Sequence, residues 1–299
     1  MKDNVLSLEA VMPNGQIIRT GNRAKKSSAG YDLTRLLVGS EGTLGIITEL
    51  TLKLCGIPEA MAAARCAFPT VEAACNAVIL SIQTGLPIAR MELLDAESVK
   101  AINAYSKLDL PESPLLLLEF HGTEASVAEQ SETFGQIADE FGSVGFEWTT
   151  KTEDRNALWQ ARHDAYWALR KIRPGSEALA TDVCVPISRL AEAVTRTEQH
   201  AKEMGLVAPI VGHVGDGNFH ATLLIDGEEE RHKAEDFLVW LSALAIELDG
   251  TITGEHGVGQ GKITSLVKEM GAATDVMKAI KQTLDPENIM NPGKVFTFD

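Results

Sequence analysis

The chain has 299 residues, 27 of them Lys or Arg and 42 Asp or Glu, which gives a formal charge of −15. A hydrophobic share of 44% supports a packed core and excludes a disordered chain, and at about 150 residues per domain the length predicts roughly two domains. The acidic balance excludes a general nucleic-acid binder, which needs a basic face, and disfavours adhesion to anionic lipid.

In chain order, residues 5–11 and 16–20 read as two strands around Pro13-Asn14-Gly15, because Asn-Gly accepts the positive φ of a hairpin turn. Residues 25–30 are a polar loop. Residues 44–54 alternate as a strand until Gly56-Ile57-Pro58 breaks the pattern, and a domain boundary is placed there. Beyond it strands and helices alternate. Strands are predicted at 62–68, 89–94, 115–120, 146–150, 179–185, 206–214 and 219–225. Helices are predicted at 70–85, 96–105, 125–141, 154–172, 188–204, 228–248 and 273–284. Hairpins mixed with helices point to an α+β fold rather than a doubly wound sheet.

The N-terminus shows no apolar leader and no Arg/Ser-rich amphipathic stretch, so the expected location is cytoplasmic, with peripheral attachment at the inner membrane as a variant. The longest apolar stretch, 237–246, is too short to span a bilayer. Cys55, Cys66, Cys75 and Cys184 form no CxxC pair and sit among apolar residues, so all four are expected to be core thiols.

Two segments carry chemistry. In Gly212-His213-Val214-Gly215-Asp216-Gly217-Asn218-Phe219-His220, a two-residue turn at Asp216-Gly217 would pair His213 directly with His220, Cβ atoms about 5 Å apart on one face. Asn218 would share that face. Two convergent imidazoles are half of a metal site; the plain alternative is an ordinary histidine pair. In Thr253-Gly254-Glu255-His256-Gly257-Val258-Gly259, glycines surround a carboxylate and an imidazole. Glu255 could complete a His/His/Glu ligand set with His256 as base, or the loop could be a polar glycine turn. Gly261-Lys262 lacks the surroundings of a phosphate loop, and no GxGxxG fingerprint occurs, so a nicotinamide-binding domain is unsupported. A metal-dependent hydrolase is a further reading, since His/His/Glu with a base also suits water activation.

Together these two segments resemble the C-terminal domain of FAD-linked oxidases of the vanillyl-alcohol-oxidase type, in particular the D-lactate dehydrogenase (cytochrome) and glycolate oxidase FAD-subunit group. Three further segments match: Gly30-Tyr31-Asp32-Leu33 through Leu37-Val38-Gly39-Ser40-Glu41-Gly42-Thr43-Leu44-Gly45-Ile46-Ile47-Thr48; Leu158-Trp159-Gln160-Ala161-Arg162; and Pro286-Glu287-Asn288-Ile289-Met290-Asn291-Pro292-Gly293-Lys294. The resemblance implies the C-terminal half of a PCMH-type FAD-binding domain (1–57), followed by a ferredoxin-like cap with a mostly antiparallel sheet covered by helices (58–299). It implies FAD lying along Ser40, Glu41, Gly42, Thr43, Gly45, Ile46 and Ile47, with Asn291 nearby. It implies Zn²⁺ or Mn²⁺ on His213, His220 and Glu255. Arg162 would hold the substrate carboxylate with its guanidinium fork, Asn218 would line the same pocket, His256 would take the hydroxyl proton, and Lys262 would play a supporting part.

The activity so implied is oxidation of a D-2-hydroxy acid to the 2-oxo acid, with electrons leaving to a cytochrome, quinone or electron-transfer flavoprotein. Relatives that prefer dicarboxylates carry a lysine where this chain has Ala180, which favours D-lactate. The family's glycine-rich pyrophosphate loop, from the first half of the FAD domain, has no counterpart in this sequence. The expectation is therefore an N-terminally truncated chain, with a separate chain supplying the missing half and a homodimer as options. The alternative is an inactive or partner-dependent fragment that binds metal and carboxylate only.

Overall fold

Asn14-Gly15 turns the chain as expected: Gly15 takes φ +81° and its amide donates to Met12 O at 2.8 Å. The computed structural model describes residues 2–24 and 26–298; Met1, and Lys25 at the head of the polar loop, lie outside them. The chain forms two compact units, Met1–Ile57 with Glu255–Asp299, and Pro58–Gly254. The division after Ile57 falls where Gly56-Ile57-Pro58 breaks the strand pattern. By packing, however, the stretch from Glu255 onward folds with residues 1–57.

In the first unit, β1 (Val5–Val11) pairs antiparallel with β2 (Ile17–Arg19) and, after the short helix α1 (Leu33–Leu37), with β3 (Ile46–Leu52). Leu8, Ala10, Leu37 and Leu44 form its buried cluster. β3 forms where the sequence alternates, yet Ile46, Leu50 and Leu52 are 59%, 48% and 49% exposed. Period-2 patterning marks a strand without saying that anything covers it.

The second unit begins β4 (Ala60–Ala67), α2 (Val71–Gln83), β5 (Ile88–Leu94), α3 (Ala96–Ser106), β6 (Leu115–Gly122), α4 (Glu124–Glu140), β7 (Val144–Thr149). Its sheet order starts β7-β4-β6-β5, every pairing antiparallel. Setting α3 aside as an insertion, that is a βαββαβ chain in the order 4-1-3-2, the ferredoxin-like arrangement. There follow α5 (Thr152–His163), α6 (Ala165–Leu169), β8 (Glu177–Ala180), β9 (Val183–Cys184), α7 (Leu190–Glu203), β10 (Ile210–His213), β11 (Asn218–Ile225) and α8 (Glu228–Glu247). The sheet continues β5-β10-β11-β8, with β9 also on β11.

Strand parity sorts the core, because successive side chains point to opposite faces. Leu116, Leu118 and Phe120 join the cluster that includes Val78, Phe134, Val194 and Phe237 from α2, α4, α7 and α8. Leu115 and Leu117 point the other way, to Val99, Ile102, Trp159 and Ala165 from α3, α5 and α6. Helices thus cover both faces, and all eight residues of β11 are buried.

Several boundaries follow from capping. Thr70 and Thr123 accept from Ala73 N and Ser126 N and start α2 and α4. The single helix expected over 154–172 is divided at Asp164, and the strand expected over 179–185 is interrupted between Ala180 and Val183. In the first unit the tail forms α9 (Ile263–Met270), which the sequence reading lacks, and α10 (Ala273–Leu284), which it places correctly. Of the four thiols, only Cys66 and Cys75 are buried; Cys55 is exposed and Cys184 half-buried, and all are free. Among the described residues no helix is long and apolar enough to cross a membrane.

Candidate active site

The histidine hairpin forms, but in another register. His213 pairs with Asn218 and Val211 with His220. A 3-10 turn at Val214–Asp216 and Gly217 make a four-residue loop, where Asp216-Gly217 alone had been expected to turn. Gly217 adopts φ +77°, and a Cβ there would meet Val185 O at 2.1 Å, so the longer loop is packed against its neighbour. A register shift of two preserves facing. His213 and His220 are therefore diagonal rather than direct neighbours on one face, ring centroids 5.7 Å apart, with Asn218 on that face too.

Each ring is held from behind. His220, 7% exposed, places Nδ1 2.8 Å from Thr181 O. A carbonyl only accepts, so Nδ1 carries the hydrogen and Nε2 the lone pair. His213 Nδ1 lies 2.8 Å from Glu92 Oε1, and a carboxylate selects the same tautomer. Two imidazoles bearing Nε2 lone pairs, each oriented by an acceptor on Nδ1, are what a divalent metal requires of histidine ligands. The donor set of this unit therefore fits a metal. Glu255, the expected third ligand, opens the other unit one peptide bond beyond Gly254.

Arg162 closes the last turn of α5. Its Nε and Nη2 lie 3.0 and 2.8 Å from Glu92 Oε2. Arg162, Glu92 and His213 line one cavity of about 590 Å³. The guanidinium thus has a protein carboxylate on one edge.

Asn218 donates both amide hydrogens, to Asp182 Oδ1 at 2.8 Å and Val183 O at 2.9 Å. Among the described residues its Oδ1 has no hydrogen-bond partner. Asp182, 1% exposed, also accepts from Thr253 Oγ1 at 2.6 Å. Gly254 is required here: a Cβ would lie 1.9 Å from Asn218 Nδ2.

Within the first unit, left-handed backbone at Gly39, Glu41 and Gly42, φ +89°, +54° and +72°, turns the chain into the 40–47 loop. The Glu41 carboxylate accepts from Val258 N at 2.7 Å and Gly259 N at 2.8 Å. It fastens this loop to the one that carries Glu255 and His256, whose carboxylate and imidazole approach to 3.6 Å. Asn291 donates to Glu41 O, so its side chain braces the loop. Buried Lys281 donates to Thr43 O and Met290 O, both at 2.8 Å, and pairs with Asp285. Burial acts to raise the Asp285 carboxyl, but Lys281 and the Met290 and Ile289 amides hold it below its usual range. Ile46 and Ile47 stand exposed beyond Gly45, an apolar edge beside backbone amides that suits a flavin ring. Lys262 caps α9.

The sequence reading missed Glu92, the Glu41 carboxylate and Lys281. Glu92 left one trace, a carboxylate between Met91 and Leu93 in an apolar strand, where a charge needs a partner.

The fold resembles two solved structures: 4-ethylphenol oxidase from Gulosibacter chungangensis (TM-score 0.75, 15% identity, 99% of this chain and 66% of that one) and p-cresol methylhydroxylase (TM-score 0.74, 16% identity, 99% and 65%). These likenesses are of fold alone. Residues 57–295 match the family described as FAD linked oxidases, C-terminal domain, and the chain belongs to that family. It is 47% identical over 298 residues to the D-lactate dehydrogenase [cytochrome], mitochondrial, of Arabidopsis thaliana, covering 99% of this chain and 53% of that protein. It is 39% identical over 303 residues to glycolate oxidase subunit GlcD of Bacillus subtilis (strain 168), covering 100% and 64%. The chain thus spans between about half and two thirds of the length of these curated relatives.

Proposed function

We propose that this chain is the substrate-side part of an FAD-dependent dehydrogenase that oxidises a D-2-hydroxy acid, D-lactate first, to its 2-oxo acid and passes the electrons to a cytochrome- or quinone-type acceptor. The observation that carries the reading is one cavity holding both a buried-edge guanidinium and an imidazole whose tautomer suits a metal. The similarity to D-lactate dehydrogenases over nearly the whole chain supports the substrate class.

In this reading Arg162 holds the substrate carboxylate through the guanidinium edge turned from Glu92. His213, His220 and Glu255 hold a divalent cation, which when bound supplies Lewis-acid polarisation of the substrate hydroxyl. Asn218, its amide hydrogens already spent, offers Oδ1 as an acceptor to the substrate. His256 takes the hydroxyl proton as general base. Ser40, Glu41, Gly42, Thr43, Gly45, Ile46 and Ile47 present backbone and apolar edge to FAD, which when bound supplies hydride acceptance from Cα; Asn291 fixes that loop. Ala180 in β8 offers no charge to a second carboxylate, which supports a monocarboxylate.

The test is calorimetric titration of the Zn²⁺-loaded chain with D-lactate, alongside metal analysis. Arg162→Ala is expected to abolish D-lactate binding and His213→Ala to lose the stoichiometric metal. D-lactate binding that survives Arg162→Ala, or turnover of an ester without an electron acceptor, would refute the reading.

A further inference from the structure

We infer that Glu92 is the positioning residue that sets His213 for the metal and Arg162 for the substrate carboxylate at the same time. The inference rests on the roles proposed above for those two residues. Glu92 is 5% exposed and divides its oxygens: Oε1 takes His213 Nδ1 at 2.8 Å, while Oε2 takes Arg162 Nε at 3.0 Å and Nη2 at 2.8 Å.

The sheet dictates this arrangement. β5 pairs with β10 as Leu94↔Val211 and Leu93↔Gly212, and one step further along that register brings Glu92 opposite His213. Side chains so placed share a face, and α5 lays Arg162 against the same carboxylate. The ion pair is thus built from three elements, far apart in sequence, that meet at one side chain.

A carboxylate on the outer nitrogen of a metal-ligating histidine fixes the ring and raises its basicity, and removing such a partner typically costs 10–100-fold in metal affinity. A single oxygen bridging Nε and Nη2 fixes the guanidinium plane and turns the opposite edge, Nη1 with the outer Nη2 hydrogen, toward the cavity as a fork. Because one carboxylate does both, cation affinity and carboxylate affinity fall together when it is lost. The competing role is a counter-charge for Arg162. That role predicts the opposite sign for the substrate: deleting a negative charge beside the guanidinium would strengthen anion binding.

The experiment uses the full chain with Glu92→Gln, which keeps the shape, and Glu92→Asp, which keeps the charge but withdraws it by one methylene. Zn²⁺ affinity is read by chelator competition, ligand geometry by the visible spectrum of the Co²⁺ form, and carboxylate affinity by titrating D-lactate into the metal-free chain. Both variants are expected to bind Zn²⁺ about 10–100-fold more weakly, to change the Co²⁺ spectrum, and to bind D-lactate more weakly than the parent. Unchanged Zn²⁺ affinity and Co²⁺ spectrum in variants that melt like the parent, or tighter D-lactate binding, overturns the inference. A purely structural carboxylate would lower the melting temperature and leave these readouts in place, which also overturns it. If Glu92→Gln fails to fold, Glu92→Asp decides. A parent chain that takes up no Zn²⁺ overturns the ligand reading, and this inference with it. A parent that binds Zn²⁺ while both variants bind it equally overturns this inference alone.

Discussion

Lys281→Met should open the 40–47 loop and the C-terminal tail. Lys281 is 2% exposed and its partner Asp285 also 2%; the ammonium donates to Thr43 O and Met290 O and pairs with Asp285. Methionine matches the stem in length but leaves a buried carboxylate held, among the described residues, by the Ile289 and Met290 amides, at 3.1 and 2.8 Å, and takes the ammonium donor from two carbonyls. Removing one partner of a buried ion pair costs about 3–5 kcal/mol, whereas replacing both by apolar groups is often neutral. At about 1.4 kcal/mol per decade, local opening should rise from about 10²-fold to a few thousandfold. Amide hydrogen exchange over 40–47 and 285–291 reads this directly. The four tryptophans, Trp148, Trp159, Trp167 and Trp240, all lie in the other unit, so their fluorescence is a control. Lys281→Met with Asp285→Leu should recover most of the protection. Exchange within threefold of the parent in the single variant, or a double variant worse than the single, would refute the reasoning.

Asp95 caps α3 and accepts from Ser98 N and Ile210 N, both at 2.8 Å, and burial pushes its carboxyl from 3.8 up to about 6. The native state therefore binds more protons than the unfolded chain between those values. The Asp95 contribution is fully present below pH 4 and is lost as pH rises through 6, by about 3 kcal/mol at about 1.4 kcal/mol per unit; urea midpoints followed by tryptophan fluorescence should show this slope in the parent and lose it in Asp95→Asn, and parallel slopes would count against it. Arg162→Lys should weaken D-lactate binding about 10–100-fold, since an ammonium has no fork to offer a second carboxylate beside Glu92, and titration calorimetry checks it; equal affinity would show that charge alone suffices. Gly254→Ala should displace Asn218, whose Nδ2 would lie 1.9 Å from the new Cβ, at about 1–3 kcal/mol; a parent-like melting temperature with parent-like D-lactate affinity would contradict the fixed position of that amide.

Much of the fold was legible because it rests on local signals. Asn14-Gly15 turned as expected, α10 fell at the predicted residues, and the threonine caps set α2 and α4 within two residues. The errors have identifiable causes. Ile263, Leu266, Val267 and Met270 carry a helical period in α9, hidden between glycine-rich flanks. Cys55 lies beyond β3, where apolar neighbours did not mean burial. In the histidine hairpin an error of detail left the shared face of the two imidazoles intact. Asp216-Gly217 is a strong two-residue turn signal, but Val185 O packs against Gly217, and the loop takes four residues. Since the shift was by two, both imidazoles kept their face.

What stayed illegible is the set of groups that hold the candidate site residues from behind. Glu92 meets His213 only because β5 lies beside β10, strands more than a hundred residues apart, and the other oxygen of the same carboxylate holds one edge of Arg162. No spacing rule along the chain encodes that meeting. A guanidinium expected to approach a substrate with its whole fork instead has one edge committed to its own protein. In the proposed function, the affinity of Arg162 for a carboxylate would therefore depend on the position of Glu92, which also holds His213.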